Sequence, residues 1–198
     1  MPWKLTLWLV LLTFSGSLLA EQIKHVKHKA WTKKYDRHFK KNTKHYFGPG
    51  IDWHFFKAQG IAESGLNPRA QSKRGAKGIM QIMPITYQEI LRKQPRFGNI
   101  EEPRWNIAAA IYYNRQLYKR WMKKNVPIDE RMRFTFASYN AGFNRVLKAR
   151  KKLREQYKQQ PELMNNWQKV SPFIPKETRR YIERIDALMS NAVTQKKT

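Results

Sequence analysis

Residues 62–84 read AESGLNPRAQSKRGAKGIMQIMP, and Glu63 is the lone carboxylate among them; the next along the chain is Glu89. A carboxyl group in apolar company has two uses. It can sit on a helix surface, pack its stem and keep its charge in water. It can also be an acid that desolvation keeps protonated, because burial disfavours the charged form and makes a proton donor near neutral pH. Ala58, Ile61 and Ala62 precede Glu63 on a stretch that also carries Trp53 and Phe56. The residue therefore falls near the end of an apolar helix, where the helix dipole also disfavours negative charge. Taken by itself, the glutamate reads as solvated. Only its company argues for acid chemistry.

Helices must position such a group. FGPG at 47–50 is a turn, and Asp52 or the residue before it caps a helix running toward Ser64. Pro68 ends that helix by biasing Asn67 away from helical geometry. A loop rich in Lys, Arg and Gly follows, in which GIMQIM at 78–83 has at most a short extended character. ITYQEILRK at 85–93 predicts the next helix. Ile107, Ala110, Ile111, Leu117, Tyr118 and Trp121 then recur at helical spacing. Residues 132–141 predict a short aromatic helix broken at Gly142, and 145–157 a basic one. Residues 161–175 read as a loop or short turns. Ile182, Ile185, Leu188, Met189 and Ala192 make a last amphipathic helix. Strand signals are nearly absent and there is no internal repeat, so the class is mainly α.

The length of 198 residues suits one domain with a full core. Forty Lys and Arg against fourteen Asp and Glu give a net charge of +26, which favours anionic partners such as nucleic acid, anionic lipid or an anionic polymer. The absence of cysteine excludes disulfides, thiolate metal sites, a cysteine nucleophile and a lipoprotein anchor. Residues 1–20 read as a signal peptide: Lys4, an apolar core from Leu5 to Phe14, a polar break at 15–17, and Ala20. Leu18 fits the cleavage pattern poorly, which leaves an uncleaved anchor as the alternative, although the run is short of the roughly 20 residues that span a bilayer. Export puts the mature chain's start near Glu21 and its work in the periplasm or envelope. Residues 21–45 hold nine Lys and Arg and four of the five histidines, and read as a solvated, partly disordered basic arm. His25 and His28 have no further ligands nearby, so no metal is expected. A domain over 46–190 and a polar tail over 191–198 complete the division.

ESGLNP at 63–68, Ser72 and GIMQIMP at 78–84 together resemble the soluble lytic transglycosylase (SLT-domain) family, which shares its fold with goose-type lysozymes. PRWNI at 103–107, ASYNAG at 137–142 and ETRRYIERI at 177–185 are similar to that family's further segments, in the same order. The resemblance implies a lysozyme-like, mainly α domain with a substrate cleft between helices. It implies a peptidoglycan lytic transglycosylase that cleaves the β-1,4 bond between N-acetylmuramic acid and N-acetylglucosamine without water, leaving 1,6-anhydro ends, and that uses no cofactor. Carried over, Glu63 is the acid and then the base. Ser72 is a hydroxyl near the carboxyl, Gln81 a substrate-contacting amide, and Met80 and Met83 an apolar wall. Tyr139 holds the glutamate, Asn140 meets substrate or backbone, and Tyr181 closes the site. Each has a plainer alternative: Ser72 as a turn residue, Gln81 bonded to backbone, the methionines and Tyr139 as ordinary core. The sequence departs from the pattern in NIAAAIYY, where the family often has a glycine, and in the unusually basic loop 69–77.

One carboxylate is enough for this chemistry, whereas a two-carboxylate hydrolase needs its acids about 5–9.5 Å apart. A goose-type hydrolase on the same fold is the first alternative, with a distant acid such as Asp129 folding close. A cationic wall-, membrane- or nucleic-acid-binding protein without activity is the second, and specific nucleic-acid recognition is not expected. Arg69, Lys73, Arg74 and Lys77 beside the cleft, and Arg145, Lys148, Arg150, Lys151, Lys152 and Arg154 on one helix, suit retention on glycan strands and anionic envelope polymers. Small enzymes of this kind also accompany secretion or conjugation machinery.

Overall fold

A computed structural model describes residues 31–195, with side-chain surroundings for 31–190. The expected signal peptide over 1–20 and residues 21–30 of the expected arm, with His25 and His28, lie outside the described residues. The described residues form helices α1 (Asp36–Phe47), α2 (His54–Ser64), α3 (Pro84–Lys93), α4 (Pro103–Met122), α5 (Ile128–Ala141), α6 (Phe143–Gln156), α7 (Trp167–Val170) and α8 (Lys176–Gln195). Two single 3₁₀ turns, Pro161–Asn165 and Ser171–Phe173, flank α7. Among the described residues there is no strand, only isolated bridges between Gln71 and Lys77 and between Lys77 and Ile82. No described helix is long and apolar enough to cross a membrane.

Helix α4 is the axis of the core. The run from Asn106 to Tyr112 is buried throughout, so α4 takes neighbours on several sides, chiefly α1 and α5. The small side chains of Ala108, Ala109 and Ala110 let those neighbours approach. At its far end the fully buried Trp121 ring lies against Phe134 and Phe143, 5.2 and 4.6 Å between centroids, and its Nε1 donates to Ser138 Oγ at 2.9 Å. Helix α8 closes the domain by packing on α2 and α5.

Two boundaries differ from the sequence reading. Residues 36–45 are not arm but most of α1, with Phe39 and Thr43 buried. The basic residues Arg37, Lys40, Lys41 and Lys44 occupy its exposed face, so the charge count concealed an amphipathic helix. Lys57 on α2 fixes this helix's entry: only 2% exposed, it pairs with Asp36 at 2.6 Å, donates to the Thr32 carbonyl at 2.7 Å and lies over the Trp31 ring. At the other end α8 runs on to Gln195, because no Gly or Pro interrupts it after Ala192. The expected tail is helix over 191–195.

The segment that faces the end of α2 is held by one side chain. Asn106 is fully buried; its Oδ1 accepts from the Met80 N–H at 2.8 Å, and its Nδ2 donates to the carbonyls of Lys77 and Ile100 at 3.0 and 2.9 Å. GIMQIM is therefore a tight loop, closed by Lys77 and Ile82 exchanging backbone hydrogen bonds at 3.0 and 3.1 Å. Gly78 is required there: φ is +75°, and a Cβ would stand 2.5 Å from Asn106 Nδ2. Asn106→Ala removes the partner of the Met80 N–H and of the Ile100 carbonyl, while the Lys77 carbonyl keeps the Ile82 N–H. It is expected to lower the unfolding free energy by about 2–5 kcal/mol, read as a fall in the urea midpoint at unchanged slope.

Candidate active site

Glu63 sits one residue before the C-terminus of α2. Gly65 ends the helix in the left-handed conformation, φ +64°, and donates its N–H to Ile61 O at 2.8 Å. Next to Glu63, Ser64 Oγ donates to Ile79 O at 2.8 Å, which ties the helix end to the loop that Asn106 holds. Across the gap, Tyr181 of α8 donates its hydroxyl to Glu63 Oε1 at 2.6 Å. Tyr139 of α5 donates to Met80 O at 2.7 Å, and its ring lies 5.6 Å from that of Tyr113.

These groups open on a cleft of about 490 Å³ lined by Glu63, Asn140, Tyr181, Glu177 and the cations Lys176, Arg180 and Arg184. Glu63 keeps some surface on the cleft, but protein encloses its carboxyl on the other sides. Burial drives its pKa from 4.5 up to about 7; the Tyr181 hydrogen bond and the Arg184 charge pull it down, and burial wins. Burial, then the Glu63 charge, raises the phenols of Tyr139 and Tyr181 well above their ordinary value. Both rings stay protonated near neutral pH, and Tyr181 keeps its proton for the carboxyl.

Behind Tyr181 lies an amide pair that sequence reasoning missed. Gln59, one turn before Glu63, and Asn114 on α4 are both fully buried, and Asn114 Nδ2 donates to Gln59 Oε1 at 2.7 Å. Gln59 Nε2 makes no formed hydrogen bond, yet it faces the Tyr181 hydroxyl closely enough to favour that oxygen's negative charge. The spacing of four between Gln59 and Glu63 was the available signal.

Of the expected residues, the structure brings Glu63, Asn140 and Tyr181 to one cleft. Tyr139 and Met80 are joined behind it, Met80 being fully buried. Asn140 Oδ1 accepts from Thr178 Oγ1 at 2.7 Å, which bridges α5 to α8. Ser72 does not line this cleft, and its Oγ accepts from the Ala76 N–H at 3.0 Å within the basic loop. Gln81, at φ +47°, donates its amide to the carbonyls of Gly78 and Ala70 at 2.9 and 3.1 Å and so braces its own loop. Met83 is 37% exposed at the start of α3 and does not line this cleft. The cleft cations come from α8, not from loop 69–77; their recurrence every four residues was legible but unread. Among the described residues no three His, Cys, Asp or Glu side chains gather as a metal site would require.

The transglycosylase SLT domain profile matches residues 39–162, from α1 through the turn after α6. The chain belongs to the transglycosylase SLT domain family. Within that family it is 32% identical over 146 residues to a membrane-bound lytic murein transglycosylase F of Shewanella sediminis, covering 74% of this chain and 28% of that protein. The corresponding Shewanella oneidensis protein is 30% identical over 151 residues, 76% of this chain and 29% of that one. The chain thus spans less than a third of the length of these relatives. The 70 kDa soluble lytic transglycosylase of Escherichia coli superposes with a TM-score of 0.61 at 25% identity, over 81% of this chain and 24% of that one. The 70 kDa soluble lytic transglycosylase in complex with bulgecin A gives 0.63 at 24%, over 84% and 25%. The mainly α, lysozyme-like fold expected from the sequence is the fold of this SLT domain.

Two consequences are measurable. The Tyr181 hydrogen bond favours the Glu63 carboxylate, so Tyr181→Phe is expected to push the Glu63 pKa further above about 7 in a carbon-13 NMR titration. Stability carries the same signature. Below pH 4.5 the carboxyl is protonated both folded and unfolded; as pH rises to about 7 the unfolded chain ionises first and the fold loses up to about 3 kcal/mol. Glu63→Gln should therefore be more stable than the parent at pH 8 and no more stable at pH 4, in denaturant melts at the two values.

Proposed function

We propose that the protein is a peptidoglycan lytic transglycosylase that cleaves the β-1,4 bond between N-acetylmuramic acid and N-acetylglucosamine and leaves a 1,6-anhydro ring. The observation that carries this is the Glu63 carboxyl, buried, hydrogen-bonded by Tyr181 and poised near pH 7 on an open cleft. An acid at that pKa gives up a proton and recovers it at comparable cost. Protonated Glu63 donates to the glycosidic oxygen as the C1–O bond breaks, and the substrate's own N-acetyl oxygen stabilises the anomeric carbon. The Glu63 carboxylate, held meanwhile by the Tyr181 proton, then takes the proton of the C6 hydroxyl. O6 closes on C1, and no water enters the product. Family membership and the names of the relatives support the same substrate. The net charge of +26 suits retention on an anionic cell envelope after export.

A second reading has one observation in its favour. Glu177 lines the cleft that Glu63 lines, and a second carboxylate is what a hydrolase uses to position water.

Digestion of purified peptidoglycan, with products resolved by mass, separates the readings. Transglycosylase action gives soluble fragments ending in 1,6-anhydro-muramic acid, and Glu63→Gln lowers their rate by about a hundredfold to ten-thousandfold. Fragments one water heavier make the enzyme a hydrolase. No soluble product from folded protein leaves only glycan or envelope binding. Because the first step needs protonated Glu63, kcat/KM is expected to fall as pH rises through about 7, in a pH series on the same substrate.

A further inference from the structure

The cleft wall opposite Glu63 is built from one helix with two adjacent rows. Glu177 and Tyr181, four apart, make the row that reaches Glu63. Lys176, Arg180 and Arg184, each four residues on, make the other. On a helix that spacing stacks side chains on one face, and eight residues at 1.5 Å each extend the row over about 12 Å. That is on the order of one disaccharide repeat. Lys176 and Arg180 are exposed, and among the described residues neither is in an ion pair. Arg184 donates to the Ala62 carbonyl at 3.2 Å, which anchors the row to the end of α2. While Glu63 is protonated, Glu177 is the one other carboxylate among the described residues that line the cleft, against these three cations. A neutral sugar chain has no use for such a row. Muramic acid has one: its lactyl group ends in a carboxylate when the strand is bare, and otherwise carries a peptide stem with carboxylates of its own.

We infer that Lys176, Arg180 and Arg184 form a carboxylate-reading row that makes this cleft select glycan strands by the anionic groups on their muramyl residues. The inference rests on the peptidoglycan reading above. It assigns substrate choice to α8 while leaving the bond-breaking to Glu63. Each exposed ion pair contributes little by itself, a factor of about 1.5–5 in affinity, so selection comes from the repeat and weakens with salt.

The test is direct binding to Glu63→Gln protein, which keeps the row and removes turnover, at low and at 0.5 M salt. Four tetrasaccharides are compared: a neutral chito-oligosaccharide, the bare muramyl form with free lactyl carboxylates, and forms whose stems carry free or amidated carboxylates. The carboxylated forms should bind roughly tenfold tighter than the neutral one at low salt. Adding Lys176→Gln and Arg180→Gln should reduce that preference to within about twofold. The same neutralisations at Lys119 and Lys158, outside the cleft, should leave it. Tightest binding by the bare form assigns the row to the lactyl group; tightest binding by the free-carboxylate stem over its amide assigns it to the stem. Equal binding of neutral and carboxylated forms, or a preference that survives in the Lys176/Arg180 variant, overturns the inference while the glycan reading stands. Binding of none overturns both.

Discussion

Glu63 holds a proton near neutrality only while protein, rather than water, surrounds most of its carboxyl. Several elements far apart in sequence share that task. Helix α2 brings the group to its end, and Ser64 bonds that end to Ile79. Asn106 pins the backbone of Lys77 and Met80 from below, and Tyr139 caps the Met80 carbonyl. Tyr181 arrives from α8, 118 residues along the chain. Opposing influences act on the carboxyl: a short hydrogen bond and an arginine favour its charge, and desolvation outweighs both. The resulting balance is what the proposed acid-then-base role asks of one group.

Most helices were legible because apolar residues recur at helical spacing along them. The last helix was legible from Ile182, Ile185 and Leu188; the end of α2 was expected from Pro68, but Gly65, three residues earlier, terminates it. The start of the fold was not. Around α1 the density of lysine and histidine suggested solvated chain, and Phe39 and Thr43 are too few to announce a buried face. The site divided the same way. Glu63, Tyr139, Asn140 and Tyr181 fall in motif segments and meet in space, whereas Ser72 and Gln81 spend their polar groups on the turns that contain them. A motif specifies which residue occurs, not which of two nearby partners its hydroxyl or amide will choose. Asn114 lay hidden because its meaning comes entirely from Gln59, 55 residues away.

Net charge was equally double-edged. Arg150, counted with the cations of the basic helix, is 4% exposed. It donates to Met164 O at 2.9 Å and to Asn165, and lies over the Trp121 ring. Burial, with the nearby Arg154 charge second, lowers its pKa to about 10. That side chain seams α6 to the turn before α7. Its charge is spent inside the fold, while Lys148, Lys151 and Lys152 beside it face solvent.

The buried ammonium of Lys57 sets a limit on what can be transplanted. Its hydrogen-bond and ion-pair partners, Thr32 and Asp36, precede residue 39, where the family match begins. A fragment cut to the shared segment would bury a cation without its counter-ion, a defect on the order of 3–5 kcal/mol. It would also lose Tyr181, which lies past residue 162, where that segment stops. The family-model match is thus narrower than the set of residues on which the Lys57 pair and the Glu63 site depend. A transplant of this site has to carry the residues on both flanks of the matched segment.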